Sequence, residues 1–508
     1  MRRAAVLFLA IGAVFAAFSG CIQGDRESSG EQAGIILTNG KIWTADDNML
    51  YAEAVAIKGD RIIFVGSSAK AADYTGPSTK TVDLGGRLAV PGFEDSHTHF
   101  LATAATANSS TGNPFAPSYS GYNEYQAYLT RGAIGSTHVA TKLANSTPTD
   151  MPVGASSLRL PTVEQMLPGI KLGMEEALKM GLTTIFEAGT DWEYLDALNM
   201  LNQSGELKVR FELYLASRHL DEMMERGTKM GDGDNWVRVL GVKFYGDGWL
   251  GPRTCALLEP FNDTMYPWQA MWSDGILFME QDKANADVLK AYQAGYKIAT
   301  HTIGDRAIDV FLNAYENAMN EFPGRDLRPT LEHCQVLSSE LIEKIKEVGA
   351  IPSIQLSFAT TDMRFAEDAL GAERAKWSYP WKTLLDEGIQ CAGGSDFNVE
   401  TLSPLWGIQR IVTRQEVDGY PEGGWHPEQR ITVEQALRLI TIDSAYNSFE
   451  ENEKGSITPG KLADIVVLSQ NILSIPPNEI MNTTVEMTMV GGAPMYVSPD
   501  SGIAGAFN

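Results

Sequence analysis

Residues 91–100 read PGFEDSHTHF, and this stretch decides the fold class. It follows the apolar run LAV and carries His97 and His99 two residues apart. On a strand, residues at that spacing point to the same side, so the two imidazoles form a clamp for one divalent metal. A packed core has little use for imidazoles at the end of a strand. The stretch therefore predicts a metal site at the end of a buried strand.

Four more candidate ligands close later apolar runs in the same way. Lys243 closes LGVKF, His301 ends YKIATH, His333 ends RPTLEH and Asp396 ends CAGGSD. The chain has seven histidines, and four of them occupy these strand-end positions. Nitrogen and carboxylate donors that converge from different strands suit a divalent metal such as zinc. We therefore expect a centre that holds one or two ions.

Short apolar runs alternate with helical stretches from residue 91 to residue 449. This pattern is typical of repeated βα units around a parallel sheet. Eight candidate strands lie near residues 93–96, 182–186, 209–215, 239–244, 297–300, 329–331, 350–354 and 389–393. The sequence thus predicts an α/β fold with a TIM-like (β/α)8 barrel over 91–449. The candidate ligands fall at the ends of strands one, four, five, six and eight, where such barrels perform their chemistry.

The two ends of the chain have a different pattern. Residues 34–90 contain short strand-like runs divided by Asn-Gly, Gly-Asp and Gly-Gly turns, and residues 450–508 return to strands. Such turns between short strand-like runs are typical of antiparallel β-hairpins. We expect both ends to form one small composite β-sandwich beside the barrel. Residues 100–160 are polar with little apolar periodicity, and a loop of that length predicts a lid over the metal site.

The first residues resemble an export signal of the lipoprotein type. Arg2 and Arg3 precede an apolar stretch that is short for a membrane span, and small residues precede Cys21. We expect residues 1–21 to be this signal, Cys21 to be lipidated and residues 22–33 to be a tether. The predicted protein is then an extracytoplasmic lipoprotein that meets the membrane only through its anchor. An ordinary secreted protein is the alternative.

The formal net charge of −24 indicates which partners to expect. It argues against nucleic acid and against an anionic membrane surface, since both repel an acidic protein. The expected partner is a small-molecule substrate. A homodimer is left open.

Lys243 and Asp396 are the residues whose chemistry needs most explanation. A protonated lysine cannot bind a cation, but a desolvated lysine can lose its proton and react with carbon dioxide. The resulting carbamate on Lys243 could bridge two metals; the alternative is a lysine that pairs with Asp247 or with a substrate carboxylate. Metal-bound hydroxide would attack a carbonyl, and Asp396 would act as general base and then general acid.

Other polar residues lie in predicted βα loops. Arg253, Arg364 and Tyr379 are candidates for substrate contact. Glu332 precedes His333, and strand alternation predicts that it points away from His333 in a structural role.

Five segments of the chain carry the candidate ligands, and a sixth lies in the later strand-rich part: PGFEDSHTHF, VKFYGDGWLGPRTCAL, HTIGDRAI, RPTLEHCQ, GGSDFNVETLSPLWGI and GSITPGKLADIVVL. Together they resemble the amidohydrolase superfamily, and most closely its amidohydrolase-3, YtcJ-like branch, which includes N-substituted formamide deformylases. The resemblance implies a TIM-like barrel, a composite β-sandwich and a mono- or dinuclear zinc-type centre. By motif, it also implies metal-site roles for His97, His99, His301, His333 and Asp396, and carboxylation of Lys243.

One departure limits what the resemblance implies about substrate. Members of this branch usually have a long insert with a further histidine after the first motif. Here about 80 residues separate His99 from the strand GLTTIFEAG, and His138 is a poor match for that histidine. The metal chemistry does not depend on this insert, but the choice of substrate does.

The leading functional hypothesis is a hydrolase that cleaves a non-peptide C–N bond in an amide, an N-substituted formamide or a cyclic amide. A mononuclear deaminase is a second enzymatic hypothesis, and Lys243 argues against it. Ester or lactone hydrolysis stays open because the same hydroxide would serve. A solute-binding lipoprotein on the same scaffold is the non-enzymatic alternative, and it predicts gaps in the ligand set that the sequence does not have.

Overall fold

The computed structural model describes residues 30–107, 114–115 and 161–507. The predicted signal segment with Cys21 and most of the predicted tether and lid lie outside these residues. Lipid attachment and a lid therefore stay predictions. Among the residues described, no helix has the length and apolar character needed to cross a membrane.

Strands from the first part of the chain form most of the smaller β-structure. They are β1 (Ile35–Thr38), β2 (Lys41–Trp43), β3 (Tyr51–Ala52), β4 (Ala54–Lys58), β5 (Arg61–Gly66), β6 (Lys80–Asp83) and β7 (Leu88–Pro91). Three strands near the end of the chain complete it, and they are numbered after the barrel strands.

The barrel is built from parallel strands in sequence order. They are β8 (Phe93–Thr98), β9 (Leu182–Thr190), β10 (Arg210–Ala216), β11 (Val237–Tyr245), β12 (Lys297–Thr302), β13 (Thr330–His333), β14 (Ile351–Gln355) and β15 (Ala392–Gly394). Each predicted strand coincides with or overlaps an observed one. This confirms the predicted TIM-like barrel.

The strands from the end of the chain are β16 (Ile465–Leu468), β17 (Val485–Val490) and β18 (Ala493–Val497). They join β7, β2 and β3 in one sheet of order β18-β17-β16-β7-β2-β3, while β5, β4, β1 and β6 form a second sheet. Leu37 and Val55 of the second sheet pack with Ile42 and Ile465 of the first in one apolar cluster. Both ends of the chain therefore build the predicted β-sandwich.

The helices occupy the connections and the flanks. They are α1 (Ser68–Ala71), α2 (Phe100–Thr106), α3 (Val163–Lys179), α4 (Trp192–Gln203), α5 (Leu220–Arg226), α6 (Gln281–Ala294), α7 (Asp305–Glu321), α8 (Ser339–Val348), α9 (Phe358–Leu370), α10 (Ala372–Ala375), α11 (Trp381–Asp386), α12 (Pro404–Thr413), α13 (Val433–Leu439) and α14 (Ile442–Asn447).

Helix α8 shows how local sequence sets one βα unit. Its N-cap Ser338 accepts a hydrogen bond from the Leu341 N–H, which satisfies one of the free donors of the first turn. Its buried side includes Leu341 and Ile345, at the four-residue spacing of a helix face. Gly349 ends the helix at φ 69°, a left-handed conformation that glycine adopts without steric cost.

The barrel closes where the first and last strands bring their loops together. Thr98 and Phe397 form a parallel bridge, and the Asp396 N–H donates to the His97 carbonyl over 2.8 Å. Asp95 reinforces this closure, since its carboxylate accepts hydrogen bonds from the Ser395 N–H and hydroxyl. Closing the sheet thus also positions three of the predicted metal ligands, because His97 lies near the end of β8 and His99 and Asp396 follow β8 and β15.

Candidate metal centre

His97, His99 and Asp396 converge at the point of barrel closure. The Nε2 atom of His97 lies 3.4 Å from Asp396 Oδ1, and the Nε2 atom of His99 lies 3.5 Å from the same oxygen. One ligand atom from each residue falls within 4.8 Å of the others. Two imidazole nitrogens and one carboxylate oxygen at this separation can hold one divalent ion.

His301 and His333 lie beside this group at the ends of β12 and β13. Their ring centroids are 4.4 Å apart, and the His333 ring is 4.8 Å from that of His97. The His333 Nδ1 atom is 4.0 Å from Asp396 Oδ2. The structure therefore brings together the four predicted histidines and Asp396, although their binding of metal stays a prediction.

Lys243 completes the set from β11. Its side chain is fully buried, and its Nζ atom has no hydrogen-bond partner within the described part of the chain. Burial lowers the pKa of Lys243, while the carboxylates of Glu332 and Asp396 oppose that shift. The alternative pairing with Asp247 is not what the structure shows, because that carboxylate accepts backbone N–H groups of Ala256, Ile303 and Gly304.

The unpaired polar atoms fit a metal. His97 Nε2, Lys243 Nζ and Asp396 Oδ1 are all buried without a hydrogen-bond partner among the residues described. Burying a polar atom unpaired costs free energy, so three such atoms on neighbouring groups indicate a missing partner. A divalent ion would satisfy the nitrogen and the oxygen, and a carbamate on Lys243 would turn the third group into a ligand.

Three of the four histidines have the protonation state that ligation requires. His97 is the exception, because the Glu332 carboxylate outweighs the effect of burial and raises the pKa of His97 to about 9. Burial lowers the pKa of His99 to about 4 and that of His301 to about 3, so both are neutral near pH 7. The pKa of His333 is also lowered by burial. A neutral imidazole keeps one ring lone pair for a metal.

The structure corrects the expectation for Glu332. Strand alternation predicted that it points away from His333, yet its carboxylate accepts a hydrogen bond from His97 Nδ1 over 2.6 Å inside the site. The reason is that His333 has φ 72°, which breaks the alternation and lets both residues face the barrel interior. The strained backbone at the strand end could not be inferred from the residue types.

Tyr245 also belongs to this region and was not predicted. It lies two residues after Lys243 on β11, and its ring centroid is 5.4 Å from Lys243 Nζ and 6.1 Å from the His301 ring. Gly189, at φ 92°, leaves room for the Tyr245 hydroxyl, which any side chain at that position would meet. The two-residue spacing from Lys243 was the signal that could have identified it.

The three predicted substrate contacts have other protein partners. Arg253 is buried, and its guanidinium pairs with Asp263 and donates to the carbonyls of Leu250 and Gly251. The Arg364 guanidinium pairs with the Glu416 carboxylate. The buried Tyr379 hydroxyl donates to Asp362 over 2.5 Å. Contact between these three residues and a substrate stays a prediction.

Known proteins share both the sequence pattern and the fold. The profile of the Amidohydrolase family matches residues 126–496. N-substituted formamide deformylase of Arthrobacter pascens is 24% identical over 91% of this chain and 98% of its own length. Putative amidohydrolase YtcJ of Bacillus subtilis is 32% identical over 51% of this chain and 48% of its own. Protein LONG AFTER FAR-RED 3 of Arabidopsis thaliana is 28% identical over 92% of both chains.

A solved structure supports the fold assignment. An uncharacterized metal-dependent hydrolase from Pyrococcus furiosus superposes with a TM-score of 0.67, at 24% identity, over 87% of this chain and all of its own. The family profile covers most of the barrel and the later sandwich strands, and it begins after the His97–His99 motif. This chain belongs to the Amidohydrolase family, within its amidohydrolase-3 branch, and is a hydrolase.

Proposed function

We propose that this hydrolase cleaves a non-peptide C–N bond in an amide, an N-substituted formamide or a cyclic amide. The observation that carries the proposal is the group of four histidines, Lys243 and Asp396 at the carboxyl ends of the barrel strands, all buried except the partly exposed His99. The named activity of the Arthrobacter pascens relative supports the substrate class.

Asp396 is the group that moves the proton. Burial opposes its ionisation, but the electrostatic attraction of the neighbouring His97 side chain holds the pKa of Asp396 below its usual value. The carboxylate is therefore ionised near neutral pH and can take the proton of an attacking water, then give it to the leaving nitrogen. A bound divalent metal would supply a water whose pKa is lowered toward ~7.

The environment of Lys243 supports a centre with two metal ions over a centre with one. Its buried and unpaired Nζ can lose a proton, attack the carbon of carbon dioxide and release a second proton from the nitrogen, which leaves a carbamate. The carbamate oxygens would then face the same space as His301 and His333. A mononuclear deaminase would have no use for a lysine at this place. Ester or lactone hydrolysis stays an alternative, because the same groups would serve it.

The test is a hydrolysis screen with the full-length protein, loaded in turn with zinc, manganese or iron. The panel contains N-alkyl and N-aryl formamides, a cyclic amide, a formate ester and an amidine. We expect release of formate and amine from at least one formamide, or opening of the cyclic amide. Chelation should abolish this turnover, and returning the metal should restore it.

The screen also separates the alternatives. Ammonia released from the amidine alone would favour the deaminase, and cleavage of the ester alone would favour the esterase. Binding of panel compounds without turnover by fully loaded protein would refute the hydrolytic proposal in favour of solute binding.

A further inference from the structure

Three histidines in the centre each form a hydrogen bond from one ring nitrogen to another protein group. The charge of the accepting group differs among the three. Two of the partners are neutral. His333 Nδ1 donates to the Gln355 side-chain oxygen over 2.8 Å, and His301 Nε2 donates to the Gly248 carbonyl over 3.0 Å. The Asp247 carboxylate lies 3.6 Å from His301 Nε2, beyond hydrogen-bond distance, and accepts backbone N–H groups instead. The third partner is charged, since His97 Nδ1 donates to the Glu332 carboxylate over 2.6 Å.

Glu332 and His97 are both fully buried. A carboxylate removed from water is expensive unless it is paired and hydrogen-bonded, so its presence in the barrel interior needs a reason. The hydrogen bond fixes the His97 tautomer, because Nδ1 then carries the proton and the lone pair stays on Nε2. That Nε2 atom faces Asp396 and has no hydrogen-bond partner in the described ranges.

A carboxylate on the far ring nitrogen raises the basicity of a metal-binding imidazole more than a neutral acceptor does. The centre therefore has two unequal halves. The half formed by His97, His99 and Asp396 has the charged partner, and the half formed by Lys243, His301 and His333 has neutral ones.

We infer that Glu332 makes the position at His97, His99 and Asp396 the tighter of two metal positions, so that it fills first. The position at Lys243, His301 and His333 then fills second. Glu332 is thus a positioning residue that sets the order of metal loading. The inference rests on the metal centre of the proposed function.

The test is a zinc titration of metal-free, full-length protein in competition with a chromogenic chelator, which reports affinity without any substrate. Wild-type protein should bind two zinc ions with unequal affinities. Glu332→Gln should weaken the tighter ion by roughly 10–100-fold, the range for losing an outer partner of a ligand, and leave the weaker ion within about threefold. Glu332→Asp, which keeps the charge, should recover most of the lost affinity.

Gln355→Glu is the matched variant, because it gives His333 the carboxylate partner that His97 already has. It should tighten the weaker ion and narrow the gap between the two affinities, and it carries the test if Glu332→Gln does not fold. An unchanged tighter ion in Glu332→Gln, or an equal loss at both ions, would overturn the inference. Two sites of equal affinity, or a single site, in the wild-type protein would also overturn the inference but leave the hydrolase proposal intact. No zinc binding at all would refute both the inference and the hydrolase proposal.

Discussion

Replacing Asp396 with asparagine is expected to lower kcat by roughly 10²–10⁴-fold, the usual contribution of a positioned general base and acid. Asparagine keeps the size and the side-chain oxygen of Asp396, but its amide cannot take a proton from water or give one to a leaving nitrogen. The carboxylate lies 3.4 Å from His97 and 3.5 Å from His99, so its oxygen also helps to hold metal. Steady-state rates on the best compound of the screen give the effect.

The same sample must be assayed for metal, because a variant that loses its ions would be inactive for another reason. Asp418→Asn changes an exposed carboxylate and should keep wild-type rates. If Asp396→Asn binds the wild-type amount of metal and retains more than a tenth of the rate, Asp396 is not the proton-transfer group.

Lys454→Met is expected to lower the free energy of unfolding by about 3–5 kcal/mol, the usual cost of removing one partner from a buried ion pair. The Lys454 ammonium is buried against Glu94, Glu212 and Glu450, at 3.6, 2.9 and 2.6 Å. Without the cation, three buried carboxylates would face one another. Chemical denaturation measures the loss.

Lys346→Met is the matched control, because Lys346 pairs with Glu387 in solvent. An exposed pair contributes only about 0–1 kcal/mol, so this variant should be nearly as stable as wild type. Adding Glu212→Gln to Lys454→Met should recover part of the loss, since one of the three charges is removed. Equal free energies of unfolding for Lys454→Met and Lys346→Met would show that Lys454 and its three carboxylates do not stabilise the fold.

The barrel and most of its centre could be predicted because both leave strong local signals. Each barrel strand is a short apolar run. Strands β8, β12 and β13 place their candidate ligands at or next to their last residue, and β11 places Lys243 two residues before its end. A histidine at the end of such a run has no packing role, so its position already indicated chemistry. The sandwich was predictable for the related reason that turn residues divide its strands.

Other features depend on contacts that no local pattern encodes. Glu332 reaches His97 across 235 positions of sequence, and the backbone conformation of His333 that permits this is set by the barrel. Lys454 and its three carboxylates come from three separate segments of the chain, because Glu450 lies only four residues before Lys454. No local sequence pattern marks these groups as a cluster. The sequence predicted that Arg253 contacts substrate, because only the fold of its loop brings Asp263 beside the guanidinium as a partner.

The number of metal ions bound to full-length protein and to its Lys243→Ala variant tests the central claim most directly. Elemental analysis after reconstitution with zinc, manganese and iron should give about two ions per chain in wild type. The variant should hold one or none, because it cannot form the carbamate ligand and Asp396 lies close to both His99 and His333. No metal in the wild type would contradict the account of the centre, and one ion in both proteins would contradict the role given to Lys243.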